Sequence, residues 1–181
     1  MRTHARLGER WAKVRPPRWF ARAEVTYNNY GDRGSIDDLA FDAATGTLLV
    51  TELKTGIYDG QRTVAKLDEK VRVARLVAKR FGWAVRRGVP ALVMADTRTN
   101  RRRVADHAAL FGQFGLRGRS ARAWLRDPAR AGGDGLLLFV PLSDVRGTHG
   151  RQAGRQRVRP SRGDPSVAKD LIAPESGADM A

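Results

Sequence analysis

Residues 34–56 read GSIDDLAFDAATGTLLVTELKTG. Two apolar runs flank Ala43-Ala44-Thr45-Gly46, which suits a tight connection, so the segment predicts a β-hairpin with strands over 35–42 and 47–55. Centring the turn between Ala44 and Thr45 sets Asp42 opposite Thr47, Phe41 opposite Leu48, Leu39 opposite Val50 and Asp37 opposite Glu52. Directly opposed residues share a face. One face then carries Ser35, Asp37, Leu39, Phe41, Leu48, Val50, Glu52 and Lys54. It is apolar near the turn and charged at the far end. The other face carries Asp38, Asp42, Thr47 and Thr51, and reads as the solvent side.

A charged side chain in a core strand is costly unless something pairs with it. Like charges directly opposed across a sheet repel. A divalent cation between Asp37 and Glu52 would remove both costs. Mg²⁺ takes oxygen ligands, commonly one or two carboxylates completed by water and substrate phosphate. Period-2 alternation aims Glu52 and Lys54 at the same place. Lys54 would therefore stand beside the ion, where it can orient an attacking water while the metal offsets charge on a phosphodiester. Two other readings remain. The carboxylates could be a surface set on an edge hairpin, which would contribute little. A one-residue slip would exchange the faces entirely.

Outward from the hairpin, residues 23–30 (AEVTYNNY) predict a preceding strand. Ala5–Val14 predict a short helix stopped by Pro16-Pro17. After the hairpin, residues 61–81 predict a helix, with Val64, Leu67, Val71, Ala74, Val77 or Ala78, and Phe81 on one side and Gly82 as its cap. Residues 89–95 predict a buried strand. Thr99 would cap a helix over about 100–114, and residues 120–126 and 136–142 read as two further strands. The expected order is α-β-β-β-α-β-α-β-β, an α/β fold with a mixed sheet. Residues 1–20 form a basic N-terminal segment and 21–142 the main domain. Residues 143–181, rich in Arg, Gly, Ser and Pro, read as a disordered tail.

The 181 residues carry a formal charge of +15, with 28 arginines, 6 lysines and no cysteine. Such a field attracts polyanions, above all nucleic acid, although a GC-rich coding sequence also produces an Arg-rich chain. Disulfides and thiolate zinc sites are excluded. Three scattered histidines form no ligand cluster. No apolar run approaches a membrane span and the N-terminus lacks an apolar leader, so a cytoplasmic protein is expected. Nothing signals self-association, and a homodimer is left open. Lower-ranked candidates for the site are Glu24 and Gln61. Candidate phosphate contacts are Arg33, Lys66, Lys70, Arg98, Arg101, Arg102 and Arg103. The last three begin a helix, where cations oppose the macrodipole and a bound phosphate would relieve the conflict. A solvated basic helix face is the plainer reading of Lys66 and Lys70.

Asp37 followed by Glu52-Leu53-Lys54 on the next strand resembles the signature of the PD-(D/E)XK nuclease superfamily. Over most of residues 24–142, VTYNNYGDRGSID, LLVTELKT, KLDEKVRVA, FGW and DTRTNRRRVADHAALF resemble the nuclease-like domain found behind repressor-type helix-turn-helix modules in bacterial regulators. The resemblance implies a restriction-endonuclease-like core and a DNA endonuclease using Mg²⁺ or Mn²⁺. Asp37 and Glu52 would hold metal and Lys54 would be catalytic. The alternative is an inactive nuclease-fold module that binds nucleic acid or a regulatory partner. Three departures stand out. No helix-turn-helix precedes residue 20, Glu9 is the only acid before Glu24, and Asp38 and Thr51 stand where apolar residues are expected.

Overall fold

The computed structural model describes residues 2–29 and 32–143. Ten elements follow in the order α1 (Arg2–Val14), β1 (Phe20–Asn29), β2 (Asp32–Asp42), β3 (Thr47–Lys54), α2 (Gly60–Lys79), β4 (Arg87–Ala95), α3 (Arg98–Asp106), β5 (Leu116–Arg117), α4 (Gly118–Arg126) and β6 (Leu136–Val140). The fold is α/β, with one six-stranded mixed sheet ordered β1-β2-β3-β4-β6-β5. β1, β2 and β3 pair antiparallel. β3–β4, β4–β6 and β5–β6 pair parallel.

The hairpin forms because Asp42 organises its turn. The Asp42 carboxylate accepts the Thr45 N–H at 3.0 Å and the Thr45 hydroxyl at 2.6 Å. Gly46 then closes the loop at φ +66°, a left-handed conformation that glycine tolerates. Asp38↔Thr51, Leu39↔Val50, Ala40↔Leu49, Phe41↔Leu48 and Asp42↔Thr47 are the observed partners. The turn-based register is therefore the real one as far as Asp38.

Helices cover both faces of the sheet. On one side, Leu39, Phe41, Leu48 and Val50 pack with Leu67, Val73, Ala74 and Val77 of α2. On the other, Ala40, Leu49 and Leu53 pack with Leu7 and Trp11 of α1 and Trp124 and Leu125 of α4. The segment 1–20 thus contributes its helix to the same core. This second layer corrects the solvent-face expectation. Asp38, Asp42, Thr47 and Thr51 are all buried, because α1 and α4 roof the face that hairpin polarity alone left open.

Element assignments also change: the short strand β5 has no counterpart in the expected order, and helix α2 is capped by Arg80 rather than Gly82. Residues 120–126 belong to helix α4 rather than to a strand. Ala121, Trp124 and Leu125 are its buried residues, an i, i+3, i+4 pattern short enough to pass for an aromatic-containing strand. The helix expected over 100–114 begins at Arg98 and ends at Asp106, capped by Thr97, whose side chain accepts the Asn100 N–H. The tail assignment beyond residue 143 lies outside the described residues, as do Tyr30 and Gly31.

Candidate functional site

Beyond the Asp38↔Thr51 pair the hairpin ladder stops, and the Asp37 carboxylate takes over a backbone partner. Its Oδ2 accepts the Leu53 N–H at 2.7 Å. In β1, Ala23 pairs with Asp38 and Val25 with Ile36, leaving Glu24 across from Asp37 but out of the ladder. Glu24 adopts φ +51°, uncommon for a residue with a Cβ and often a mark of functional geometry. The sheet is therefore irregular on both neighbours of Asp37, and this irregularity frees its carboxylate from a plain strand position.

Period-2 alternation carries Glu52 onto the α2 face with Leu48 and Val50. Helix α2 presents Lys70 to it, in a buried stripe that also holds Val64, Leu67, Ala74 and Val77. The Lys70 ammonium donates to Glu52 Oε2 and lies 3.6 Å from Asp37 Oδ1. Lys54 Nζ reaches Glu52 Oε1 at 2.7 Å. Glu52 thus takes a cation on each oxygen. Its side chain is 5% exposed, that of Lys54 34% and that of Asp37 17%, so the cluster is buried at Glu52 and open at Lys54 and Asp37.

Burial pushes the Asp37 carboxyl above its ordinary 3.8, and the neighbouring Glu52 charge adds to the rise. The Leu53 N–H, Lys70 and His4 oppose it without cancelling it.

The donor set suits a hard divalent cation in kind: two carboxylates at a partly open site, with water and phosphate left to complete the shell. Among the described residues no group of three or more His, Cys, Asp or Glu could hold a metal. A cation here would have only Asp37 and Glu52 as protein ligands, and Lys70, which bonds Glu52 and lies 3.6 Å from Asp37, would have to withdraw.

Lys70 is the residue whose role changes most. The sequence places it among surface phosphate contacts, whereas the fold makes it a buried partner of both carboxylates. A signal for this exists in the sequence, since a lysine three residues after Leu67 and four before Ala74 falls on the apolar stripe rather than beside it. Of the remaining candidates, Lys66 lines a groove with Lys54 and the others are dispersed. Glu24 is exposed across from Asp37. Gln61 is exposed at the start of α2 and lines an adjoining groove with Tyr58 and His107. Arg33 is exposed at the start of β2. Lys66 pairs with Glu69 at 3.1 Å.

The arginines of α3 are largely engaged within the protein. Asp96 binds Arg101 through both carboxylate oxygens, at 2.6 and 2.9 Å, which answers the charge conflict at the helix start. Arg102 faces Asp106 at 3.9 Å. Arg103 donates to the Ile57 carbonyl. Arg98 is exposed. With Arg103, buried Asn100 fastens the loop leaving β3. Its amide donates to Thr55 O at 3.0 Å and Ala95 O at 2.8 Å, tying the ends of β3 and β4 together just beyond Lys54.

The neighbouring aspartate is built differently. Asp38 Oδ2 accepts from Trp11 Nε1 at 2.9 Å and from Arg15 at 2.6 Å, both supplied by α1 and the residue after it. Burial raises its carboxyl above the ordinary value, with Arg15 and Trp11 opposing. Asp42 is held by Arg18 at 2.8 Å. These two acids fasten the N-terminal helix and its connection to the sheet. No family model, curated protein or solved structure matches this chain. None of the described helices is long and apolar enough to cross a membrane.

Proposed function

We propose that this chain is a divalent-metal-dependent DNA endonuclease of the PD-(D/E)XK type. The observation that carries the reading is the convergence of Asp37, Glu52 and Lys54 at the open end of the hairpin. Asp37 and Glu52 would hold Mg²⁺ or Mn²⁺. When bound, the ion supplies Lewis-acid stabilisation of charge developing on a phosphodiester. Glu52 fixes the Lys54 ammonium at the mouth of the site, where it can orient a water or meet a phosphate oxygen. Lys70 neutralises the carboxylates before metal arrives. The overall charge of +15 favours a polyanionic substrate.

The test is incubation of the protein with linear, nicked and single-stranded DNA and Mg²⁺ or Mn²⁺, beside Lys54→Ala. Metal-dependent cleavage lost in the variant is the expected outcome. Equal inertness of both proteins on every substrate defeats the enzyme reading.

One observation favours a second reading. Lys70 already supplies a cation between the carboxylates, so the cluster can persist as a structural ion network in an inactive module that binds nucleic acid. That module would bind DNA in a salt-sensitive way indifferent to EDTA, and metal-dependent cleavage would exclude it.

A further inference from the structure

Tyr58 stands in the loop that joins β3 to α2, four residues after Lys54. It is 93% exposed, the most exposed large hydrophobic residue among those described. The loop beneath it is firmly held. Ile57 is 4% exposed and packs in the core. Arg103 donates to the Ile57 carbonyl and lays its guanidinium 5.2 Å from the Tyr58 ring centroid. A groove of about 280 Å³ runs beside the ring, lined by Lys54, Gly56, Arg62 and Lys66 as well as Tyr58. An aromatic ring is thus displayed in water, next to cations, on the groove that includes the lysine of the carboxylate cluster.

We propose that Tyr58 is a stacking platform for an unpaired nucleobase, and that the nucleic acid engaged at this site is single-stranded or locally unpaired. The placement beside a reacting phosphate rests on the nuclease reading; the stacking contact does not. Lys54, Arg62 and Lys66 line the groove with one acid, Asp59; Lys54 and Lys66 also pair with Glu52 and Glu69, so Arg62 and the chain's overall charge of +15 supply the attraction for phosphates. Every base offers a π-face, and base–aromatic stacking combined with a cationic track is how sequence-tolerant single-strand binding works. A base inside a duplex has both faces covered by its neighbours and offers none to Tyr58. A frayed end, flap or single strand does. The Arg103 contact steadies the ring before binding, which lowers the ordering cost of the complex.

The test uses the whole chain in EDTA, so that cleavage plays no part. A short single-stranded oligonucleotide carrying 2-aminopurine and a relaxed, covalently closed circular duplex without ends are titrated at physiological salt into wild type, Tyr58→Ala and Tyr58→Phe. The side chain is exposed, so neither variant should unfold, and a thermal melt checks this. The wild type is expected to bind the single strand more tightly and to quench 2-aminopurine. Tyr58→Ala is expected to weaken single-strand binding about 5- to 150-fold, to abolish the quenching and to leave duplex binding unchanged, while Tyr58→Phe retains both. Equal loss on single strand and duplex, no loss on either, or a Phe variant as weak as the Ala variant overturns the stacking role. Cleavage with Mg²⁺ is measured separately. Its absence would defeat the nuclease reading and leave the binding result standing.

Discussion

Asp37 and Asp38 are adjacent in sequence and face opposite layers of the protein. Asp38 looks toward α1, where its Oδ2 accepts from Arg15 at 2.6 Å and from the Trp11 indole at 2.9 Å. Asp37 looks toward α2, where it has one backbone N–H, a lysine at 3.6 Å and a second carboxylate beside it. Burial raises the carboxyl of each. The difference lies in what remains to be satisfied. Asp38 is 8% exposed and already takes an arginine and an indole N–H, whereas Asp37 is 17% exposed, sits beside a second carboxylate and has its lysine at 3.6 Å. Charge type alone would rank the two equally.

The largest expected effect that separates them is on activity. Asp37→Ala and Lys54→Ala should each lower metal-dependent cleavage by about 10²–10⁴-fold, the scale of losing a metal ligand or a group that positions a proton. Asp38→Asn, which keeps the shape and the Trp11 bond, should change cleavage little once the protein is folded. Comparable losses in all three would dissolve the distinction between the faces.

Stability should show the reverse ranking. Asp38→Ala strands Arg15 and the Trp11 N–H, and should cost about 3 kcal/mol, the low end for breaking a buried pair. Chemical denaturation measures it. A loss for Asp37→Ala as large as that for Asp38→Ala would mean that both acids are structural.

A smaller effect concerns Lys70. Lys70→Met should lower the melting temperature in EDTA, because two carboxylates lose their shared cation. Mn²⁺ should then raise the melting temperature of the variant more than that of wild type, since the ion no longer competes with the ammonium. Calorimetry with and without Mn²⁺ tests this, and an identical metal response in the two proteins would remove Lys70 from the site.

The smallest effect is the pH dependence that Asp38 imposes. Its folded pKa is raised above the unfolded 3.8. The ionisation-linked part of its contribution is therefore fully present below pH 3.8 and is lost as pH rises through the raised value, while the Arg15 and Trp11 bonds persist at neutral pH. Relative to Asp38→Asn, wild type should gain in melting temperature on acidification and lose that gain on return to neutral pH. The opposite slope would mean that Arg15 and Trp11 outweigh burial.

Much of this comparison is legible in the amino-acid sequence. Turn chemistry places Asp42 opposite Thr47, and alternation follows from it, so Glu52 and Lys54 fall on one face, as they do in the fold. The second helical layer is not legible. A hairpin strand that is apolar on one face and mixed on the other predicts solvent on the mixed side, and Asp38, Asp42 and Thr51 fit that pattern. The partners of the two aspartates, Trp11, Arg15 and Arg18, lie more than twenty residues away in sequence, in a segment whose basic character suggests a separate arm. Lys70 is obscured differently. Val71, one residue on, completes a plausible stripe, and choosing it turns Lys70 outward by a fraction of a helical turn. The shortness of α4 leaves Trp124 open to either period.

The central claim is that the Asp37 side of this acidic pair binds a divalent cation and the Asp38 side does not. Electron paramagnetic resonance of Mn²⁺ titrated into wild type, Asp37→Asn and Asp38→Asn tests it most directly. The expected result is saturable binding in wild type and Asp38→Asn, lost in Asp37→Asn. Equal binding by all three proteins, or none in wild type, would contradict it.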